Sequence, residues 1–183
     1  MPKKTMLFTR AGDEGYTSLL GQEKVPKYDL RPEAYGAVDE ATSFMGLVRA
    51  GAAASERTKQ LILEAQRDLW VLMGELAAAS DVKLPRRITT ERVTWLEAET
   101  DQLSPEIPRL NRFVLPGDTL VSAQLDVART IVRRAERRVV RLLHEGHLEN
   151  GEVVRYLNRL SSLLFALARY EEHLAGRETT LTK

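Results

Sequence analysis

The stretch Leu125-Asp-Val-Ala-Arg-Thr-Ile-Val-Arg-Arg-Ala-Glu-Arg-Arg-Val-Val-Arg-Leu142 decides the fold class of this chain. Leu125, Ala128, Val132, Ala135, Val139 and Leu142 recur at spacings of 3, 4, 3, 4 and 3 residues, one stripe of an amphipathic helix. Six arginines surround that stripe. At about 100° per residue, Arg129, Arg133 and Glu136 fall on one flank and Arg134, Arg138 and Arg141 on the other. Two arginines one turn apart beside a packed seam make a rigid site for an anion such as a phosphate chain. The same spacing also suits interhelical or surface ion pairs, and Arg134, Arg138 and Arg141 suit a solvated face or subunit contacts.

Outward from this helix, four more helical patterns are legible. The first runs from about Pro32 to Ala50, with proline in the first turn. The second begins near Ser55, an N-cap residue type, and carries Leu61, Ile62, Ala65, Leu69, Leu72, Met73 and Leu76. The third runs from Thr89 or Thr90 to about Leu103. Pro105, Pro108, Pro116 and Gly117 then bar continuous helix. The arginine-rich helix spans about Thr119 to Glu145, and a fifth spans about Glu152 to Leu174. The fifth has two adjoining apolar rows, Tyr156, Leu160, Leu163 and Leu167 beside Leu157, Leu164 and Ala168. So wide a stripe predicts burial against more than one neighbour, within the bundle or in another subunit.

Alternating strand patterns are almost absent, so the expected fold is all-α, an antiparallel five-helix bundle. The segment from Phe8 to Pro32, punctuated by Gly12, Gly15, Gly21 and Pro26, reads as loop. A loop of that length in a compact domain is usually functional or disordered. The expected organisation is one domain over 1–183: an N-terminal loop at 1–31, a bundle at 32–176 and a tail at 177–183.

The bulk numbers narrow the function. With 183 residues, 43% hydrophobic and 29% charged, the chain is expected to be globular and soluble. A net charge of +1 argues against a general nucleic-acid coat. There is no cysteine, which excludes disulfides, thiolate metal sites and cysteine nucleophiles. No apolar run reaches a membrane span, and Met1 to Phe8 lack a secretory signal, so a cytosolic location is expected. His144, His147 and His173 are the only histidines, and none follows a glutamate by three residues. That argues against a ferritin-like di-iron centre and leaves no metal-ligand set to nominate.

Several constellations remain. In Thr9-Arg-Ala-Gly-Asp-Glu-Gly-Tyr-Thr17, glycines let backbone N–H groups converge on an anion and threonine hydroxyls add donors; an ordinary glycine turn has the same composition. It is not a Walker A loop. Asp39 or Glu40, in the first helix, could pair with an arginine of the fourth or lie on a solvated face. Asn158, beside apolar rows, could hydrogen-bond a ligand or bridge two helices. Phe113, at the entrance to the fourth helix, suits a packing staple.

Together these segments resemble the PduO-type family of ATP:cob(I)alamin (corrinoid) adenosyltransferases. The matching pieces are Thr9–Thr17, Lys24-Val-Pro-Lys27, Arg31-Pro-Glu-Ala-Tyr-Gly-Ala-Val-Asp-Glu40, Phe113-Val-Leu-Pro-Gly117, Ala128–Arg137, Tyr156-Leu-Asn-Arg-Leu-Ser161 and Leu164-Phe165, in family order. The resemblance implies a ferritin-like, cobalamin adenosyltransferase-like bundle that forms a homotrimer with active sites between subunits. It implies attack of a Co(I) corrinoid on the 5′ carbon of ATP, with release of triphosphate. On that basis Thr9, Arg10, Gly12, Asp13, Gly15 and Thr17 wrap the triphosphate, with Lys27 as a further cation and magnesium riding on the phosphates. Arg133 contacts the phosphates, and Glu136 and Asn158 position the nucleotide. Arg129 pairs with Asp39 of a neighbouring subunit. Phe113 faces the corrin and keeps a lower axial ligand off cobalt. A reductase and a downstream adenosylcobalamin-dependent enzyme are implied partners.

The chain departs from the family pattern where Asp39-Glu-Ala-Thr-Ser43 stands for Asp-Glu-Leu-Asn-Ser, with Thr42 for the asparagine, and where Asp118 stands for a glycine and Asp126 for a histidine. These departures motivate a different reading, a non-catalytic relative that binds nucleotide or corrinoid as a sensor, carrier or chaperone. A third reading is a helical module whose arginines contact RNA or protein.

Overall fold

The computed structural model describes residues 8–21, 23–79 and 82–183. A short hairpin, β1 (Tyr16–Ser18) and β2 (Lys24–Pro26), leads into α1 (Leu30–Ala50), α2 (Glu56–Ala77), α3 (Thr90–Leu103), α4 (Leu120–His144) and α5 (Glu152–Leu174). A 3₁₀ turn at Ser104–Glu106 follows α3.

Local chemistry sets the helix ends. Asp29 accepts a hydrogen bond from the Arg31 backbone N–H (3.0 Å), so α1 begins at Leu30, slightly before the expected Pro32. Ser55 Oγ caps α2 by accepting from Thr58 N at 3.2 Å. Thr119 and Ser122 cap α4 reciprocally: Ser122 N donates to Thr119 Oγ1 (3.0 Å) and Thr119 N to Ser122 Oγ (3.1 Å).

The loop expected from Phe8 to Pro32 is corrected from Tyr16 onward. Tyr16 pairs with Pro26, Thr17 with Val25 and Ser18 with Lys24, antiparallel. Three-residue strands are too short for alternation to register in a sequence. The hairpin is fastened to the end of α2: Leu20 N donates to Ala77 O (2.8 Å) and Ala79 N to Leu20 O (2.9 Å).

The six seam residues of α4 are all fully buried. α4 packs on α1 and α5, α1 also on α2, and α3 on α5. Arg134 pairs with Glu40 and Arg138 with Glu33, so α1 and α4 run antiparallel. Both apolar rows of α5 are buried within this one chain. Its wide stripe is thus spent inside the bundle. α2, α3 and α5 are tied by Asp68, whose carboxylate accepts from Arg92 (Nη2 to Oδ2, 2.7 Å) and from the buried Tyr156 hydroxyl (2.8 Å). Among the described residues, no helix is long and apolar enough to cross a membrane.

Candidate active site

The buried seam of α4 orients its two charged flanks. Arg134 and Arg138 face α1 and are paired there with Glu40 and Glu33, while Arg141 pairs along its own helix with Glu145 (2.7 Å). Arg129, Arg133 and Glu136 lie on the opposite flank, toward α5. Glu136 Oε1 accepts from Asn158 Nδ2 (2.9 Å), and Asn158 Oδ1 accepts from Arg159 Nη1 (2.7 Å). Asn158 therefore bridges α4 and α5. With Arg133, Arg137 and Val140, this pair lines a concavity of about 300 Å³.

One turn earlier, Arg129 borders two further hollows. One, of about 490 Å³, also takes Arg133, Pro108, Ser161 and Phe165. The other, of about 260 Å³, takes Phe113, Val114, Pro116 and Asp126. Arg129 thus joins the Arg133 side to the Phe113 side. Its Nε donates to Asp126 Oδ1 (2.9 Å), and its guanidinium lies 6.0 Å from the Phe165 ring centre. Phe113 is 85% exposed, so the packing-staple reading of this ring is corrected. Instead, its backbone carbonyl accepts from Thr182 N at 2.8 Å.

The N-terminal loop is a second, separate cluster. Asp13 N donates to Arg10 O (3.2 Å) and Gly15 N to Gly12 O (3.1 Å), giving two successive turns. Gly15 has φ +80°, a conformation glycine adopts without steric cost, and Arg10 has φ +63°. The Lys27 ammonium lies over the turn: a Cβ at Gly12 would come 2.8 Å from Lys27 Nζ. Thr9, Arg10, Asp13 and Gly15 are exposed, while Gly12 and Thr17 are half-buried. The Asp13 and Gly15 N–H groups are spent inside the turns, so an anion here would meet the exposed Arg10 guanidinium and the Lys27 ammonium.

None of these loop residues borders the hollows at Arg129 and Arg133. Asp39 is exposed on α1, and among the described residues it is Glu40, not Asp39, that pairs with an arginine of α4. One chain therefore brings together Arg129, Arg133, Glu136, Asn158 and Phe113. It leaves Thr9 to Thr17, Lys27 and Asp39 elsewhere.

A sequence profile for the cobalamin adenosyltransferase family matches residues 7–171. The chain belongs to this family. It is 42% identical over 173 residues to the corrinoid adenosyltransferase of Bacillus subtilis (strain 168), covering 93% of this chain and 88% of that one. It is 38% identical over 179 residues to the corrinoid adenosyltransferase PduO of Citrobacter freundii, covering 97% of this chain and 53% of that longer protein. A variant PduO-type ATP:corrinoid adenosyltransferase from Lactobacillus reuteri, solved complexed with cobalamin and ATP, superposes with a TM-score of 0.90. The match has 32% identity and covers 97% of this chain and 99% of that one.

Two departures from the family pattern have local partners. Asp126 is buried, and its Oδ2 accepts from Arg169 Nη2 at 2.8 Å, so it sits between two arginines rather than presenting free charge. Asp118 accepts two hydrogen bonds from Thr180. At Thr42 the backbone carbonyl accepts from Gln66 Nε2 (2.9 Å), while its buried Oγ1 has no partner among the described residues. Arg169, Phe165 and Thr180 have roles here that the sequence pattern alone does not assign. Arg169 had a legible signal: an arginine directly after the apolar row position Ala168 of α5.

Proposed function

We propose that this chain is an ATP-dependent corrinoid adenosyltransferase that moves the 5′-deoxyadenosyl group of ATP to cob(I)alamin or a related Co(I) corrinoid. The observation that carries the reading is the continuity of the α4 flank. Arg133, Glu136 and Asn158 line one concavity, and Arg129 links it to an exposed Phe113.

In this reaction the cobalt electron pair forms the Co–C5′ bond as the C5′–O bond breaks, and triphosphate leaves with that bond's electrons. The attacking atom belongs to the acceptor, so the protein needs no serine, cysteine or histidine nucleophile. Its work is to hold ATP, align the two reactants and stabilise charge developing on the leaving group. Arg133 is suited to the phosphates because a guanidinium meets two oxygens at once. Glu136 and Asn158 already fix each other and present a pre-set edge to the nucleotide. Magnesium is brought on the triphosphate, where the ion keeps waters and takes few protein ligands. Phe113 would present its exposed ring to the corrinoid and exclude polar ligands from that side.

Two half-sites on one chain support a shared site. α1 lies on the Arg134 flank of α4, which supports the reading that Asp39 meets Arg129 of a neighbouring subunit rather than of its own. The loop of Thr9, Arg10, Gly12, Asp13, Gly15 and Thr17, with Lys27, is likewise a phosphate cradle for the neighbour's Arg133. We infer a homotrimer with sites between subunits, one functional unit over 1–183, working in the cytosol with a reductase and a recipient of the product. The non-catalytic alternative loses support, since Asp118 and Asp126 are satisfied locally.

Arg133→Ala tests the reading: adenosylation of chemically reduced cobalamin should fall by about a hundredfold or more, the scale of losing one donor to developing charge, with the oligomer intact. Near-normal turnover would remove Arg133 from this role. Mixing Arg133→Ala with Asp39→Ala chains tests the shared site, because mixed oligomers regain intact sites only if the two residues come from different subunits.

A further inference from the structure

We propose that Asp118 and Thr180 are positioning residues for the corrinoid side, clipping the C-terminal segment onto the loop that carries Phe113 and so holding that ring. The inference rests on the adenosyltransferase reading for its chemistry and on the following geometry for its substance.

Phe113 is almost fully exposed, so no side-chain packing fixes its ring and its position must be set through its backbone. The loop from Phe113 to α4 contains Gly117 at φ +126°, where a residue without a side chain adds no restraint of its own. The restraint comes from the chain terminus. Leu115 N donates to Thr180 O (2.8 Å) and Thr182 N to Phe113 O (2.8 Å), around an antiparallel bridge between Val114 and Leu181. Two strands joined by a single bridge are weak in water. Asp118 adds the clip: its Oδ2 accepts from Thr180 N (2.8 Å) and its Oδ1 from Thr180 Oγ1 (2.6 Å). Both oxygens of one carboxylate are thereby committed to one residue of the strap, and such charge-assisted bonds are the stronger kind.

The strap is anchored at its other end as well. Thr179 Oγ1 donates to Glu172 Oε2 (2.7 Å) and Arg177 N to Glu172 O (2.9 Å). Glu172 is fully buried and pairs with Arg169 (2.9 Å), which pairs with Asp126, the partner of Arg129. The Phe113 loop is thus tied through Thr180, its neighbour Thr179 and Glu172 to Arg169, and on through Asp126 to Arg129, which borders its hollow. The hydrogen bonds from Thr180, with further attraction from Arg169 and Arg177, hold the Asp118 carboxyl below the usual carboxylate range.

Full-length Asp118→Ala, Thr180→Val and Thr180→Ser proteins test this with cob(I)alamin and ATP as the two substrates. Asp118→Ala and Thr180→Val should raise KM for cobalamin about tenfold, the scale of losing a hydrogen bond to a charged group. KM for ATP should stay within about twofold of wild type, and Thr180→Ser, which keeps the hydroxyl, should restore the cobalamin KM. Amide exchange at Leu115 and Thr182 should quicken in Asp118→Ala while the α4 amides keep their protection. The proposal is overturned if both KM values move together, if neither moves, or if the serine variant behaves like the valine one. A wild-type protein that forms no adenosylated product would instead sink the adenosyltransferase reading. In that event amide exchange still decides the clip: quickening confined to Leu115 and Thr182 supports it, and unchanged exchange ends it.

Discussion

Asp126 and Arg169 form an ion pair at 2.8 Å with both side chains almost wholly removed from solvent, 5% and 0% exposed. Arg169 also meets Glu172 at 2.9 Å, and Asp126 also accepts from Arg129. Two carboxylates thus face two arginines at the junction of α4, α5 and the terminal segment. Arg169 lies 5.3 Å from the Phe165 ring centre, beside the hollow that Arg129 borders. Such a cluster fixes geometry more than it adds stability, because desolvation offsets most of the attraction.

Arg169→Met would leave Glu172 without a cation and Asp126 with Arg129 alone, and a loss of about 3–5 kcal/mol in chemical denaturation is expected. A loss below about 1 kcal/mol would mean that water reaches the cluster and screens it.

Tyr156, within the Tyr156-Leu-Asn-Arg-Leu-Ser161 motif, has a structural task. Its buried hydroxyl donates to Asp68, and Tyr156→Phe should cost about 1–3 kcal/mol, as for a hydrogen bond to a charged group. Burial, with the Asp68 charge beside it, pushes the phenol well above its ordinary value near 10. The folded state therefore holds this proton more tightly than the unfolded state does. Its contribution is complete below the ordinary tyrosine range and is lost as pH rises through the folded value. Alkaline melting curves should show a steeper fall for wild type than for Tyr156→Phe; identical slopes would contradict the linkage.

Asp118 titrates at the opposite end of the scale. Its carboxyl is held low chiefly by the Thr180 hydroxyl and N–H, so the clip is complete above the ordinary carboxylate range. It is lost as pH falls through the folded value. Carboxyl-carbon NMR of Asp118 should report a titration below that of an unperturbed aspartate, and Thr180→Val should move it upward. An unmoved midpoint would detach the carboxyl from Thr180.

The two flanks of α4 should behave differently under substitution. The Arg138–Glu33 pair has side chains 38% and 50% exposed, and Arg134–Glu40 is similarly open. Exposed pairs of this kind contribute about 0–1 kcal/mol each. Arg134→Gln with Arg138→Gln should leave turnover and melting close to wild type, whereas Arg133→Ala should abolish most turnover at unchanged melting. Equal losses from both flanks would contradict the division.

Much of this was legible in the sequence, for identifiable reasons. The 3-4 spacing from Leu125 to Leu142 gave the buried seam, and the cap Ser55 marked the start of α2. Glu136 and Asn158 meet because α4 and α5 are long, regular and antiparallel. The β1–β2 hairpin stayed hidden because three-residue strands carry no period. The Asp118–Thr180 clip stayed hidden because its partners are 62 residues apart and neither belongs to a periodic element. Position alone suits Phe113 to a staple, because a helix-entrance aromatic usually packs, and here the loop turns it outward.

The most direct test is to combine the wild-type protein with ATP, magnesium and chemically reduced cobalamin, follow the visible spectrum, and quantify the released phosphate species. Adenosylcobalamin and intact triphosphate should appear in equal amounts, dependent on ATP. Bound ATP with unchanged cobalamin, or release of phosphate without a Co–C bond, would contradict it.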